Sequence, residues 1–356
     1  MFSDKFIGNK KGQIRTGLLG YGLAGKVFHS PFLASNPEFS LDFIATNDRS
    51  RQQHARFDHP KAQIVANARE LEERFAELDL LVLASPVHTH LEQGLAALSA
   101  GLAVIVDKPF VIKESDGVEL IRKSEEAERP LIVFHNRRWD GDFLTVKKVL
   151  QGAQLGKVFQ FESSFEHWAP IALDRWHDVT PIDQGGGVIY DLGSHLIDQA
   201  IVLFGAVAEV RADVRTIRSG GGNDDVSFVE LFHESGVRSH LFMNRLGAQP
   251  GHRFRMLGTE GTFLSFGLDG QEPALAAGAK PTDDGFGHTP ESMWGTLGVV
   301  GAKTNELTRV PTEFGMYSEF YEGVVANVHG SAPSPVDPWD ALEVVKVIER
   351  IHDLNR

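Results

Sequence analysis

Between residues 14 and 135, short apolar runs alternate with segments whose apolar residues recur at helical spacing, which is how a parallel sheet with crossover helices reads along a chain. The runs predict strands at 14–19, 41–46, 78–84, 103–107 and 131–134. The third is apolar almost throughout, as a strand covered by helices on both faces requires. Helical spacing at 91–100 and 115–127 predicts two of the crossovers, with Gly101 ending the first.

Beyond Val149 the period changes to two. Phe159, Phe161 and Phe165 alternate with Gln160, Glu162 and Glu166, and similar alternation at 210–217, 226–232, 237–243 and 254–266 predicts one large antiparallel or mixed sheet. The segments 219–225 and 278–287 are rich in glycine and acid and read as exposed turns. Asp337 before Pro338 suits a helix start, with Trp339, Leu342, Val345 and Ile348 as the apolar stripe behind it. The expected layout is a tail at 1–13, a nucleotide-binding α/β domain at 14–136 and an α+β domain at 137–356 with a mainly antiparallel open sheet. The last helix, 338–354, is expected to pack back on the first domain.

The 356 residues suffice for two cores, and the formal charge of −13 repels phosphate backbones and anionic membranes, which argues against nucleic acid as a partner. The chain has no cysteine, so disulfides, thiolate nucleophiles and cysteine-bound zinc are excluded, and a reducing, cytoplasmic setting is expected. Lys5, Lys10 and Lys11 in the tail precede no long apolar region, and no run reaches the roughly 18 apolar residues of a membrane span. His88 and His90 are two residues apart, a spacing that points two helical side chains apart, so no metal is expected.

Gly20-Tyr21-Gly22-Leu23-Ala24-Gly25 follows the first strand and opens a helix, the context a dinucleotide fingerprint requires. Gly20 permits the tight turn, Gly22 lets backbone approach a diphosphate, and Gly25 lets the helix pack closely, while the helix start presents free N–H groups to phosphate. The second strand runs out at Thr46-Asn47-Asp48-Arg49-Ser50-Arg51. Asp48 suits the ribose hydroxyls of NAD, and Arg49 or Arg51 suits the 2′-phosphate of NADP, the cofactor this reading slightly prefers. Lys108 closes another strand at the end where open α/β sheets bind ligands, and its ammonium can favour the ionised form of a hydroxyl. Asp191, His195 and Asp198 fall at i, i+4 and i+7 of a predicted helix, and a carboxylate beside a histidine makes it a better base toward an alcohol.

With these segments the chain resembles the glucose-fructose oxidoreductase, inositol dehydrogenase and rhizopine catabolism family (Gfo/Idh/MocA). The likeness rests on the glycine fingerprint, Ser85-Pro86 with His90, Asp107-Lys108-Pro109 and the Asp191/His195 helix, in that order. Within the family it is most similar to NADP-dependent scyllo-inositol dehydrogenases, through residues 135–140, 190–195 and 267–272. The resemblance implies a Rossmann domain, a second domain whose sheet builds a homodimer or homotetramer, and an active site of Lys108, Asp191 and His195. Ser85, Pro86, His90 and Asn136 would join the glycine turn, Asn47, Asp48 and Arg49 around the cofactor, and Arg137, His167 and Trp176 would wall the substrate. Two positions depart from the family pattern: Asp107 stands where Glu is frequent, and Val87 where Asn is frequent. The expected reaction moves a hydride between nicotinamide and a secondary alcohol of a polyol or sugar, with His195 as base and Lys108 stabilising the alkoxide. The competing expectation is a regulator of the same fold that binds NAD(P) without catalysis.

Overall fold

The computed structural model describes residues 12–173, 176–299 and 307–355, without the side chains of Trp176 and His177. The chain forms two compact units. The described chain up to Asn136, with Gln271–Phe286 and Tyr317–Leu342, makes the first; Arg137–Gly270, Gly287–Met316 and the chain from Glu343 make the second.

The first unit is built on six parallel strands, β1 (Ile14–Leu19), β2 (Phe39–Ala45), β3 (Gln63–Val65), β4 (Leu80–Leu83), β5 (Ala103–Asp107) and β6 (Leu131–Phe134). Their order is β3-β2-β1-β4-β5-β6, so the chain reverses its direction of travel across the sheet between β1 and β4. In an open α/β sheet, that switch point is where a crevice opens at the carboxyl ends of the strands. β4 is fully buried, as its apolar composition requires. β3 is three residues long, too short to carry a readable period, and its absence from the sequence expectation follows from that. The helix Tyr317–Val328, remote in sequence, completes this core: Tyr321 stacks on Phe32 at 5.0 Å and meets Phe134 at 6.0 Å.

The second unit carries eight strands: β7 (Val158–Glu166), β8 (Val207–Arg215), β9 (Val226–His233), β10 (Arg238–Asn244), β11 (Phe254–Gly258), β12 (Gly261–Ser265), β13 (Gly295–Val299) and β14 (Thr308–Val310). The order is β14-β13-β12-β11-β7-β10-β9-β8, with β7 and β10 parallel and every other pair antiparallel. β9 alternates buried and half-buried residues along its whole length, the mark of a sheet with one face on a core. The helix Ser194–Phe204 covers that face, with Leu196, Ile197 and Ala200 fully buried.

Four sequence expectations are corrected. The run 254–266 is two strands, because the chain turns at Thr259-Glu260, where a side chain at Gly258 would come within 2.0 Å of the Leu155 carbonyl. Phe159 lies 46% exposed at the start of β7, whereas Phe161 and Phe165 are buried. The acidic end of 219–225 is not a solvated turn: Asn223, Asp224 and Asp225 are buried, for reasons given below. Trp339 likewise leaves the apolar stripe of the last helix for solvent, while Leu342, Val345 and Ile348 are buried in it. That helix starts as expected, with the Asp337 carboxylate accepting from Trp339 N–H at 2.9 Å. Among the described residues, no helix is long and apolar enough to cross a membrane.

Candidate active site

β1 delivers the glycine turn to the switch point. Gly20 has φ +105°, and a side chain there would sit 2.2 Å from the Ala84 carbonyl; one at Gly25 would sit 2.0 Å from the Gly20 carbonyl. Both glycines are therefore demanded by the protein's own backbone, which passes from β1 into helix with β4 alongside. Gly22 is different. A side chain there would meet only the Arg51 guanidinium, at 3.6 Å, so the missing side chain leaves an open cradle with a cation above it. The segment after the turn begins as a wide, π-type turn at Ala24–His29, a form that recurs at functional sites.

This geometry fits the diphosphate of a dinucleotide, with backbone free to approach at Gly22 and N–H groups at a helix start, and it sets beside that cradle a guanidinium suited to a further phosphate. Asp48 accepts from Arg51 N–H at 2.8 Å and so caps the helix Arg49–Asp58, which commits one of its oxygens to the fold. Asn47, Asp48 and Arg49 are exposed beyond the end of β2. Tyr21 points the other way: its ring is buried, its hydroxyl donates to Asp58 at 2.9 Å, and burial with that bond pushes the phenol up.

After β4, Ser85 donates to Gln93 at 2.6 Å and Pro86 starts the turn that leads into the helix His90–Ser99. His90 is buried with both ring nitrogens engaged, Nδ1 at 3.0 Å from the Phe110 carbonyl and Nε2 at 3.0 Å from the Ser85 carbonyl. Burial pushes its imidazole down, toward a neutral ring with one N–H to donate, and its side chain is turned inward between the ends of β4 and β5. At the end of β5, Asp107 accepts from Lys108 N–H at 2.8 Å, and desolvation pushes its carboxyl up to about 7. The Lys108–Pro109 peptide is cis.

In the second unit, Asp191 lies in a π-type turn, Ile189–Gly193, that runs directly into the helix holding His195. The expected i, i+4, i+7 series therefore begins in the wide turn at Asp191 and continues into the regular helix at His195 and Asp198. Asp198, at the end of that series, is committed elsewhere: it accepts from Arg138 Nε and Nη2 at 3.0 and 2.7 Å. His195 is buried, with its ring stacked along Phe165 at 6.4 Å. Arg137 places its guanidinium 4.7 Å over the same Phe165 ring and pairs with Asp140 at 3.1 Å. The Arg137 carbonyl accepts from Gln199 at 3.1 Å, and Gln199 in turn accepts from Arg253 at 3.0 Å. Phe165 thus gathers His195, Arg137 and, at 5.1 Å, His167 around one ring. Asn136, the last residue of the first unit before Arg137, is buried. The Trp176 side chain lies outside the described residues.

One charged residue of this group was missed from sequence. Arg245, just past β10, pairs with the Asp191 carboxylate, and its guanidinium is 7% exposed. Nothing local marks it, because the pairing spans 54 positions. Lys108 belongs to the first unit, and Asp191, His195 and Arg245 to the second.

Residues 14–135 match the model of an oxidoreductase family with an NAD-binding Rossmann fold, and residues 143–264 match the GFO/IDH/MocA C-terminal domain. The chain belongs to the GFO/IDH/MocA family of oxidoreductases. It is similar to scyllo-inositol 2-dehydrogenase (NADP(+)) IolW of Bacillus subtilis (strain 168), at 32% identity over 94% of this chain and 92% of that one. It is also similar to the uncharacterized oxidoreductase YdgJ of Escherichia coli (strain K12), at 35% identity over 94% of each. Among solved structures, the oxidoreductase yvaA of Bacillus subtilis superposes with a TM-score of 0.90 at 31% identity, covering 97% of this chain and 96% of that one.

Proposed function

We propose that this chain is an NADP-preferring dehydrogenase that oxidises a secondary alcohol of a polyol or sugar, with an inositol such as scyllo-inositol as the best candidate. The observation that carries the cofactor half is the cradle at Gly22, where the nearest atom is the Arg51 guanidinium at 3.6 Å. Asp48, the residue that would serve the ribose of NAD, has one of its two oxygens engaged as a helix cap. The substrate half is supported by the similarity to a relative named for scyllo-inositol and NADP. The bound nicotinamide supplies the hydride acceptor. His195 takes the hydroxyl proton, Lys108 stabilises the alkoxide that forms, and Asp191 orients His195. Arg137 and His167, both against Phe165, are proposed to hold further substrate hydroxyls.

The test is a screen at 340 nm of inositols, aldoses and their ketones with NADP and NAD in parallel. The reading predicts turnover of at least one cyclic polyol, faster with NADP. NADPH binding without turnover of any compound would replace it with the regulatory reading. For macromolecular partners we propose a second copy of this chain, seated on the open face of the eight-stranded sheet, where Phe228, Phe232 and Phe242 are half-buried. Light scattering should give at least twice the monomer mass of 39.2 kDa. A cytoplasmic setting is proposed from the absence of cysteine.

A further inference from the structure

We infer that Arg245 is a positioning residue of the active site, holding the Asp191 carboxylate in place, with Asp224 pinning the segment that bears Asp191 and Asp225 the segment that bears Arg245. The inference rests on the role proposed above for Asp191. It starts from the buried acids of the β8–β9 connection. Asp224 is 3% exposed and its Oδ2 accepts from Ile189 N–H at 3.0 Å and from the Ser227 hydroxyl at 3.2 Å. Its carbonyl accepts from Val188 N–H at 3.1 Å. These bonds satisfy the first free donors of the turn that carries Asp191, whose own N–H reaches the Gly187 carbonyl at 3.1 Å. Gly187 makes the arrangement possible. It has φ +95°, and a side chain there would fall 1.8 Å from Asp224 Oδ1.

The next residue does the same for the other partner. Asp225, fully buried, uses its carboxylate on Arg218 and on the Ile217 and Arg218 amides, and its carbonyl accepts from Arg245 N–H at 2.9 Å. The Arg245 carbonyl accepts from Ala169 N–H at 2.8 Å, so the Arg245 backbone is held at both ends. Two consecutive acids therefore register two segments, one bearing Asp191 and one bearing Arg245, against a single strand end. The pair they bring together joins a guanidinium 7% exposed to a carboxylate 16% exposed, and Arg245 Nε has no partner among the described residues. A carboxylate withdrawn from water this far is costly without an adjacent cation, and a forked guanidinium also fixes its orientation. Arg218, the other buried guanidinium at this connection, is taken by Asp178 and Asp225, whereas Arg245 is the one paired with Asp191 in the described contacts.

The experiment compares wild type, R245K, R245M, D191N and D191N/R245M for kcat, KM, NADPH affinity and backbone hydrogen exchange. R245M should lower kcat roughly 10²-fold, the loss expected when a reacting group is misplaced by about an ångström. NADPH affinity should stay within about twofold, and R245K should fall between R245M and wild type, since it keeps the charge and loses the fork. In the D191N background, R245M should cost less than about threefold more, because the group it serves is gone. Equal losses with and without Asp191, or unchanged kcat in R245M, would overturn the inference; if R245M does not fold, an unchanged kcat in R245K overturns it instead. Should wild type turn over no polyol, the dehydrogenase reading fails separately. Exchange then decides: R245M or R245K must speed exchange at residues 188–193 and spare β9 and β10, and no change there rejects the positioning role.

Discussion

Replacing Arg51 with glutamine tests the cofactor assignment at its most exposed point. Arg51 is in the first turn of the helix Arg49–Asp58, its N–H tied to Asp48 at 2.8 Å, and its guanidinium reaches to within 3.6 Å of the Gly22 cradle. Glutamine keeps the helix and most of the length but removes the charge. A hydrogen bond from a guanidinium to a phosphate contributes about 1.5–3 kcal/mol, and solvent screening at this exposed side chain reduces that to about 1–2 kcal/mol. The expected result is a Kd for NADPH that rises about 5- to 30-fold, with the Kd for NADH unchanged within about twofold. Titration by protein fluorescence, at low and high salt, reads both. The gap between wild type and R51Q should also narrow as salt rises, because the lost contact is ionic. Equal weakening of both nucleotides, or of neither, would refute the assignment of Arg51 to the 2′-phosphate.

Three further outcomes follow from the same reasoning. The Asp107 carboxyl is pushed up to about 7 by desolvation, so its neutral form is the one the fold favours, and the stability it contributes at low pH is lost as pH rises from about 4 through about 7. D107N should therefore match wild type in urea unfolding at pH 4 and exceed it by about 1–2 kcal/mol at pH 8, the discount reflecting partial exposure; equal stability at pH 8 would contradict the burial argument. Arg253 is buried and donates to Asp142 at 3.0 Å, Ser163 at 2.8 Å and Gln199 at 3.0 Å, so R253A removes a donor from each of these buried groups. It should lose about 3–5 kcal/mol in urea unfolding, and a loss below about 1 kcal/mol would show that the network is dispensable. H195A should lower kcat about 10²- to 10⁴-fold while NADPH binding holds within about twofold, and unchanged kcat would remove His195 from the chemistry.

The first unit was legible because its elements are local and its signals redundant. Every strand but β3 is a short apolar run, Gly101 ends its helix at φ +85°, and the glycine fingerprint follows β1 as a phosphate turn must. Even there, sequence could not separate the two uses of glycine. Gly20 and Gly25 serve the fold and Gly22 faces open space, a distinction that depends on where β4 and Arg51 lie. His90 shows the same limit, since a polar residue near a motif proves to be buried between the Ser85 and Phe110 carbonyls.

Sequence by itself determined the fold class and the place of the glycine turn, and it nominated Lys108, Asp191 and His195 as candidates on their chemistry. Tertiary structure alone decided the partners of charges far apart in the chain: Arg245 with Asp191, Arg138 with Asp198, and Asp224 with the start of the turn at Ile189. The physical reason is range. Periodicity and turn chemistry act over a few residues and can be read along a line, whereas a buried charge must be matched by whatever the folded chain brings within a few ångströms, here 54, 60 and 35 positions away.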